Sequence, residues 1–155
     1  MAQLKARLQS DLTGAMKNRE SVTAGALRMA LTAVTNEEVS GKAARELTDD
    51  EVLKVIGREV KKRREAAEAF ANAGRDEKAE LERQEMAILE AYLPKQLDDA
   101  ELAALVDEAV AELAQGGEQP GLKQMGQVMK AANAKVAGRA EGGRVAAAVK
   151  ARLSA

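Results

Sequence analysis

Cations dominate residues 122–155, where Lys123, Lys130, Lys135, Arg139, Arg144, Lys150 and Arg152 stand against Glu141 alone, a net of 7 − 1 = +6. Cations at this density attract phosphates, and the glycine-containing turns among them let a ligand come close to the backbone. No Phe, Tyr or Trp occurs in the segment, so nucleic-acid bases have nothing to stack on. What remains is contact with a sugar–phosphate backbone and with shape, as structured RNA demands. Lys123, Lys130, Lys135, Arg139, Arg144 and Lys150 are therefore the candidate nucleic-acid contacts. Two plainer uses compete. The cations can form a solvated surface, or they can pair with residues 98–121, where Asp98, Asp99, Glu101, Asp107, Glu108, Glu112 and Glu118 occur with no Lys or Arg. Residues 1–97 carry 17 basic and 17 acidic side chains, so the overall net charge of −1 conceals this polarity.

Elsewhere reactive groups are scarce. Histidine and cysteine are both absent. That removes the commonest general base, the thiolate nucleophile and the usual zinc ligands. Ser10, Ser21, Ser40 and Ser154 have no histidine for a triad; a Ser–Lys arrangement stays open, but each serine also reads as a cap, loop or terminal residue. Glu37-Glu38 and Asp49-Asp50 could divide acid and base roles or bind magnesium. The first pair, however, sits near a helix end and the second in a first turn, where carboxylates suit the helix dipole. Lys61-Lys62-Arg63-Arg64 has the look of a basic patch. Consecutive helical residues point about 100° apart, and Glu59, Glu65 and Glu68 lie within pairing range, so a solvated, salt-bridged face is expected. No phosphate-binding glycine motif follows a strand, because no strand is predicted. The expectation is a chain with no catalytic residue, no metal ligand and no cofactor of its own.

The elements that must position these residues are helices. Ala, Leu, Glu, Lys and Arg dominate, and Phe70 and Tyr92 are the only aromatics, a composition that favours helix over sheet. Leu4, Leu8, Leu12 and Met16 make one apolar stripe over residues 2–17. Ser21 is a candidate N-cap for a second helix lined by Val22, Ala26, Leu27, Ala30, Leu31 and Val34. Thr48 and Glu51 match a capping box for a third, with Val52, Leu53, Ile56, Val60, Ala67 and Phe70 inward and Gly74 as its stop. A fourth covers residues 76–92. Pro94 interrupts the helical pattern, and a domain boundary is placed there, giving a four-helix bundle-like part (1–93) and a three-helix part (94–155). In the latter, Asp98 or Asp99 caps a helix lined by Leu102, Leu105, Val106, Ala109, Val110 and Leu113. Residues 116–121 form a loop, 122–132 a helix, 138–143 a turn and 143–153 the last helix. Met125 and Met129, four apart, are expected to pack this small core. The fold class is all-α. No apolar run reaches the ~18 residues of a membrane span, and Met1 leads into Gln3, Lys5, Arg7 and Asp11 rather than into a signal peptide. A cytoplasmic protein with no membrane partner is expected.

Several stretches, taken in order, resemble the YqeY family: Asp11-Leu12-Thr13-Gly14-Ala15-Met16-Lys17, Leu27-Arg28-Met29-Ala30-Leu31, Glu59-Val60-Lys61-Lys62-Arg63-Arg64, Tyr92-Leu93-Pro94-Lys95-Gln96-Leu97, Met125-Gly126-Gln127-Val128-Met129 and Gly138-Arg139-Ala140-Glu141-Gly142. The resemblance spans essentially the whole chain. The last turn usually reads Gly-Arg-Ala-Asp-Gly in this family, so Glu141 replaces an aspartate. The resemblance implies a four-helix N-terminal part and a three-helix C-terminal part. It also implies kinship of the C-terminal half with the tail of GatB, a subunit of the tRNA-dependent amidotransferase that makes Gln-tRNA or Asn-tRNA. There the tail helps to hold tRNA and the chemistry sits in other domains; a related module is appended to a glutaminyl-tRNA synthetase as a tRNA-affinity aid. Carbon–nitrogen ligase activity with glutamine as amide donor is a label that follows this kinship, and it reads as inherited, because the domains for that reaction are not in this chain. The resemblance and the charge pattern meet on the same cations. They point to an accessory tRNA-binding protein acting with an aminoacyl-tRNA synthetase or amidotransferase. The rivals are a protein-binding adaptor, docking through the N-terminal bundle or the acidic fifth helix, and an enzyme of the amidotransferase class.

Overall fold

The computed structural model describes residues 2–115 and 117–155. Among the described residues there are seven α-helices, one 3-10 turn and no strand: α1 Gln3–Lys17, α2 Ser21–Glu38, α3 Asp49–Asn72, α4 Asp76–Glu90, α5 Asp99–Leu113, the 3-10 turn Leu122–Gln124, α6 Met125–Val136 and α7 Gly142–Leu153. They divide into two compact units, Met1–Leu93 and Pro94–Ala155, each with its own core.

In the N-terminal unit the stripes of α1, α2 and α3 and the end of α4 meet on Leu8, Leu27, Val34, Val52, Ile56 and Leu89, with Leu4, Leu12, Met86 and Tyr92 packed around them. Burial of such side chains is the main term holding helices together. The capping box of α3 forms as its sequence predicts. The Glu51 amide donates to Thr48 Oγ1 at 3.3 Å, and the Thr48 amide donates to Glu51 Oε1 at 3.2 Å. Arg45 Nη2 sits 2.6 Å from Glu51 Oε2 and, with the Thr48 amide, lowers that carboxyl to about 2. Gly74 follows α3 at φ +74, the left-handed geometry that a helix stop requires. Ser21, by contrast, is not a cap. It is the first helical residue of α2, Glu20 holds the cap position, and no side chain bonds there.

Lys61-Lys62-Arg63-Arg64 is also not a uniformly solvated face. Arg63 is 4% exposed. Its Nε donates to Glu85 of α4 at 3.2 Å, its Nη1 to the Glu59 carbonyl at 3.1 Å, and its Nη2 to Met29 Sδ at 3.2 Å. Lys62 pairs with Glu59 at 3.4 Å and Arg64 with Glu90 at 3.5 Å. Arg63 lies four residues before buried Ala67 and three after buried Val60, so the inward stripe of α3 runs through it. That position was the available signal for its burial.

In the C-terminal unit, Leu102, Val106, Ala109 and Val110 of α5 pack against Val128, Ala132 and Val136 of α6 and Val145 and Val149 of α7. Met125 and Met129 pack at the edge of this core, as their spacing suggests. Asp98 is the cap of α5: its Oδ1 accepts from the Glu101 amide at 2.7 Å, and Glu101 Oε2 accepts from the Asp98 amide at 3.1 Å. α6 runs to Val136 rather than stopping at Ala132, because Val136, 2% exposed, continues the inward row Val128–Ala132. Ala137 at φ +48 and Gly138 at φ +79 then end it. The predicted loop 116–121 includes Gly116, which lies outside the described residues; α7 begins at Gly142.

Candidate nucleic-acid interface

The six candidate cations do not share one environment. Lys135 of α6 places its ammonium 2.5 Å from Glu112 and 3.7 Å from Glu108, both on α5. The hydrogen bond to Glu112 is the chief cause of its raised pKa, so its charge is both kept and matched. Arg144 of α7 donates from Nη2 to the Leu97 carbonyl at 2.9 Å and to Asp99 Oδ1 at 3.0 Å. Arg152 Nε donates to Asp107 Oδ1 at 2.8 Å. The carboxylates of α5 thus draw in one flank of the cations, the intramolecular pairing that competes with RNA contact in the sequence.

Arg139 has another task. Its Nε donates to the Val136 carbonyl at 3.0 Å and its Nη2 to the Lys135 carbonyl at 2.8 Å. These carbonyls end α6 and have no later amide of the helix to accept from, and a cation suits the negative end of the dipole. The Arg139 carbonyl in turn accepts from the Leu97 amide at 2.7 Å, which ties this turn to the segment before α5. Arg139 therefore organises the unit before it can meet any ligand.

Lys123, Lys130 and Lys150 remain. All three are exposed and make no hydrogen bond or ion pair among the described residues. The structure separates the six candidates into two matched by carboxylates, one engaged as a helix cap and three free. Over the whole unit, Lys95 and the seven cations of 122–155 give +8, and the seven acids of 98–121 with Glu141 give −8, so the positive field is local to one part of its surface.

Other places offer less. A shallow cleft of about 280 Å³ lies between α5 and α7, lined by Asp99, Leu102, Arg144, Ala147 and Ala148. Its two polar residues are already bonded to each other. Among the described residues no group of three carboxylates is placed to hold a metal ion, and no helix is long and apolar enough to cross a membrane.

Fold and surface together define an all-helical protein of two small units, the second of which carries exposed lysines with no ion pair among the described residues. The chain belongs to the Yqey-like protein family, whose model matches residues 5–153. It is similar to Uncharacterized protein C22F3.15 of Schizosaccharomyces pombe, 32% identical over 93 residues, which is 59% of this chain and 73% of that protein. It is also similar to Altered inheritance of mitochondria protein 41, mitochondrial, of Clavispora lusitaniae, 33% identical over 90 residues, 58% of this chain and 51% of that protein. The match thus spans about half the length of the second relative.

Proposed function

We propose that this protein is an accessory RNA-binding protein that grips the backbone of tRNA through its C-terminal unit and acts beside a tRNA-modifying or aminoacylating enzyme, with no chemistry of its own. The observation that carries this reading is the trio Lys123, Lys130 and Lys150, exposed and free of carboxylate partners among the described residues, in a segment whose one acid is Glu141. The likeness to the tail of GatB points the same way. The contacts expected from the six candidates accordingly narrow to these three lysines. Lys135 and Arg144 belong to the unit's internal ion pairs. Surface pairs of that kind add little to stability, but releasing them would expose Glu108, Glu112 and Asp99 to the phosphates.

The test is tRNA binding by the full chain across a salt series. Each neutralised phosphate contributes roughly 0.7–0.9 to the slope of log affinity against log salt. Replacing Lys123, Lys130 and Lys150 together by Ala should therefore flatten that slope by about 2 to 3, while Lys135→Ala leaves it near the wild-type value. Wild-type affinity for tRNA no better than for a scrambled polyanion, or an unchanged slope in the triple variant, defeats the reading.

An adaptor role is the second reading. In its favour, Met16, Met29, Val39 and Leu81 of the N-terminal unit stay exposed. Single apolar side chains at a surface are common, so this weighs less than the lysines. Recovery of one stoichiometric protein partner after nuclease treatment, with no tRNA affinity, would favour it.

A further inference from the structure

The free lysines leave open which part of the surface meets RNA and what form of RNA it fits. Lys123 precedes Lys130 by seven residues, and the 3-10 turn that carries it runs directly into α6. Lys130 stands on the outer side of α6, and Lys123, in the turn that leads into that helix, is exposed at its start. Gly126, Gln127, Asn133 and Ala134 share that side and are exposed, opposite the buried row of Val128, Ala132 and Val136.

The composition of this side departs from the rest of the protein. The outer surfaces of α3 and α4 mix cations with carboxylates and α5 carries carboxylates alone, whereas residues 121–140 contain no Asp or Glu at all. The amides of Gln127 and Asn133 make no hydrogen bond among the described residues. Gly126 has nothing within 4 Å of where a Cβ would stand, so no packing within the chain accounts for its small size. The face is therefore positive, carries uncommitted donors and acceptors, and is low enough for the helix to lie against another surface.

We propose that this outer face of α6 is a docking surface for A-form RNA, seated across the minor groove. The proposal rests on the RNA-binding reading above and gives it a location and a ligand shape. Charge complementarity selects a polyanion. The wide, shallow minor groove of A-form RNA presents ribose 2′-hydroxyls, which accept from and donate to amide side chains. Lys123 and Lys130 reach phosphates at the groove's edges, Gln127 and Asn133 meet 2′-hydroxyls, and Gly126 and Ala134 let the helix come close. The C-terminal unit has no aromatic residue, so a splayed single strand gains no stacking there. Lys135 and its partners on α5 lie to the other side of α6, away from the contact.

The experiment uses the full chain and three fluorescent probes: an RNA hairpin with a 16-base-pair stem, a DNA hairpin of the same sequence, and polyglutamate with free RNA as competitor. Ala134→Glu puts a carboxylate in the middle of the face without removing a helix former. It should weaken RNA-hairpin binding at least about tenfold, since it brings like charges together at the interface, with unchanged helical circular dichroism. Gln127 and Asn133 both changed to Ala should erase most of the preference for RNA over DNA. Two results overturn the proposal while sparing the general reading: RNA binding that Ala134→Glu leaves intact although the triple lysine variant loses it, or wild-type binding that does not distinguish RNA from DNA. Binding of polyglutamate as tight as that of RNA would reassign the face to an acidic peptide. No RNA binding by the wild type at low salt overturns both proposals together.

Discussion

A buried arginine shows how individual side chains in this protein divide between structure and surface. Arg63 is held by Glu85, the Glu59 carbonyl and Met29, so its charge is enclosed and paired. Removing one partner of such a cluster strands the other charge in a medium that solvates it poorly. Glu82 stands near the same cluster and is not so well matched. Its carboxyl is raised above the ordinary value, first by desolvation and then by repulsion from Glu85, with Arg63 opposing. A raised pKa means that the folded state binds this proton more tightly than the unfolded state, so the ionised form costs stability at neutral pH and the cost disappears in acid. Glu82→Gln should therefore raise the melting temperature at pH 7. The gain should be full above the raised pKa and should fade as pH falls to the ordinary 4.5, which thermal melts at several pH values will show.

Caps and stops act on whole helices. α3 and α5 begin with complete capping boxes, at Thr48 and Glu51 and at Asp98 and Glu101, whereas α1, α2 and α4 have no side-chain cap. The two capped helices are those that follow the loop after α2 and the Pro94 segment, where the chain must restart without a helix just before it. Asp98→Ala should cost about 1 kcal/mol, the usual value for losing an N-cap, whereas Asp98→Asn should keep most of it. Urea denaturation of the two variants measures the difference. Arg139 performs the complementary service at the far end of α6, and its arrangement explains why a cation in a basic segment need not be a ligand contact.

At the scale of the whole molecule, the two cores have no residue in common. Each must be stable through its own burial, and a unit of about 60 residues is close to the smallest that manages this without disulfides or metals. The C-terminal core is built mainly of valine and alanine. Val128 is 0% exposed at its centre. Val128→Ala should cost about 1–3 kcal/mol through lost burial and the cavity left behind, a large share of what so small a unit possesses. Hydrogen exchange should then show the amides of α5, α6 and α7 losing protection, while those around Leu27 and Ile56 keep theirs. Equal loss in both sets would mean that the cores unfold as one.

Local chemistry, and therefore the sequence, determined the helices. Apolar residues at three- and four-residue intervals mark the inward faces of α1, α3 and α5, Thr48 and Glu51 announce a helix start, Gly74 a stop, and Pro94 an interruption. These are interactions within a turn or two of chain, which a sequence displays directly. The all-helical fold was legible for that reason, as was the excess of cations after Leu122. Which cations are free was not. Lys130 and Lys135 are five residues apart in the same helix with the same chemistry, and only the packing of α5 against α6 puts Glu108 and Glu112 beside one of them. Arg63 vanished into the protein because α4 brought Glu85 to it from 22 positions away. Charges are assigned their partners by approach through space, and that is decided when helices pack, not when they form.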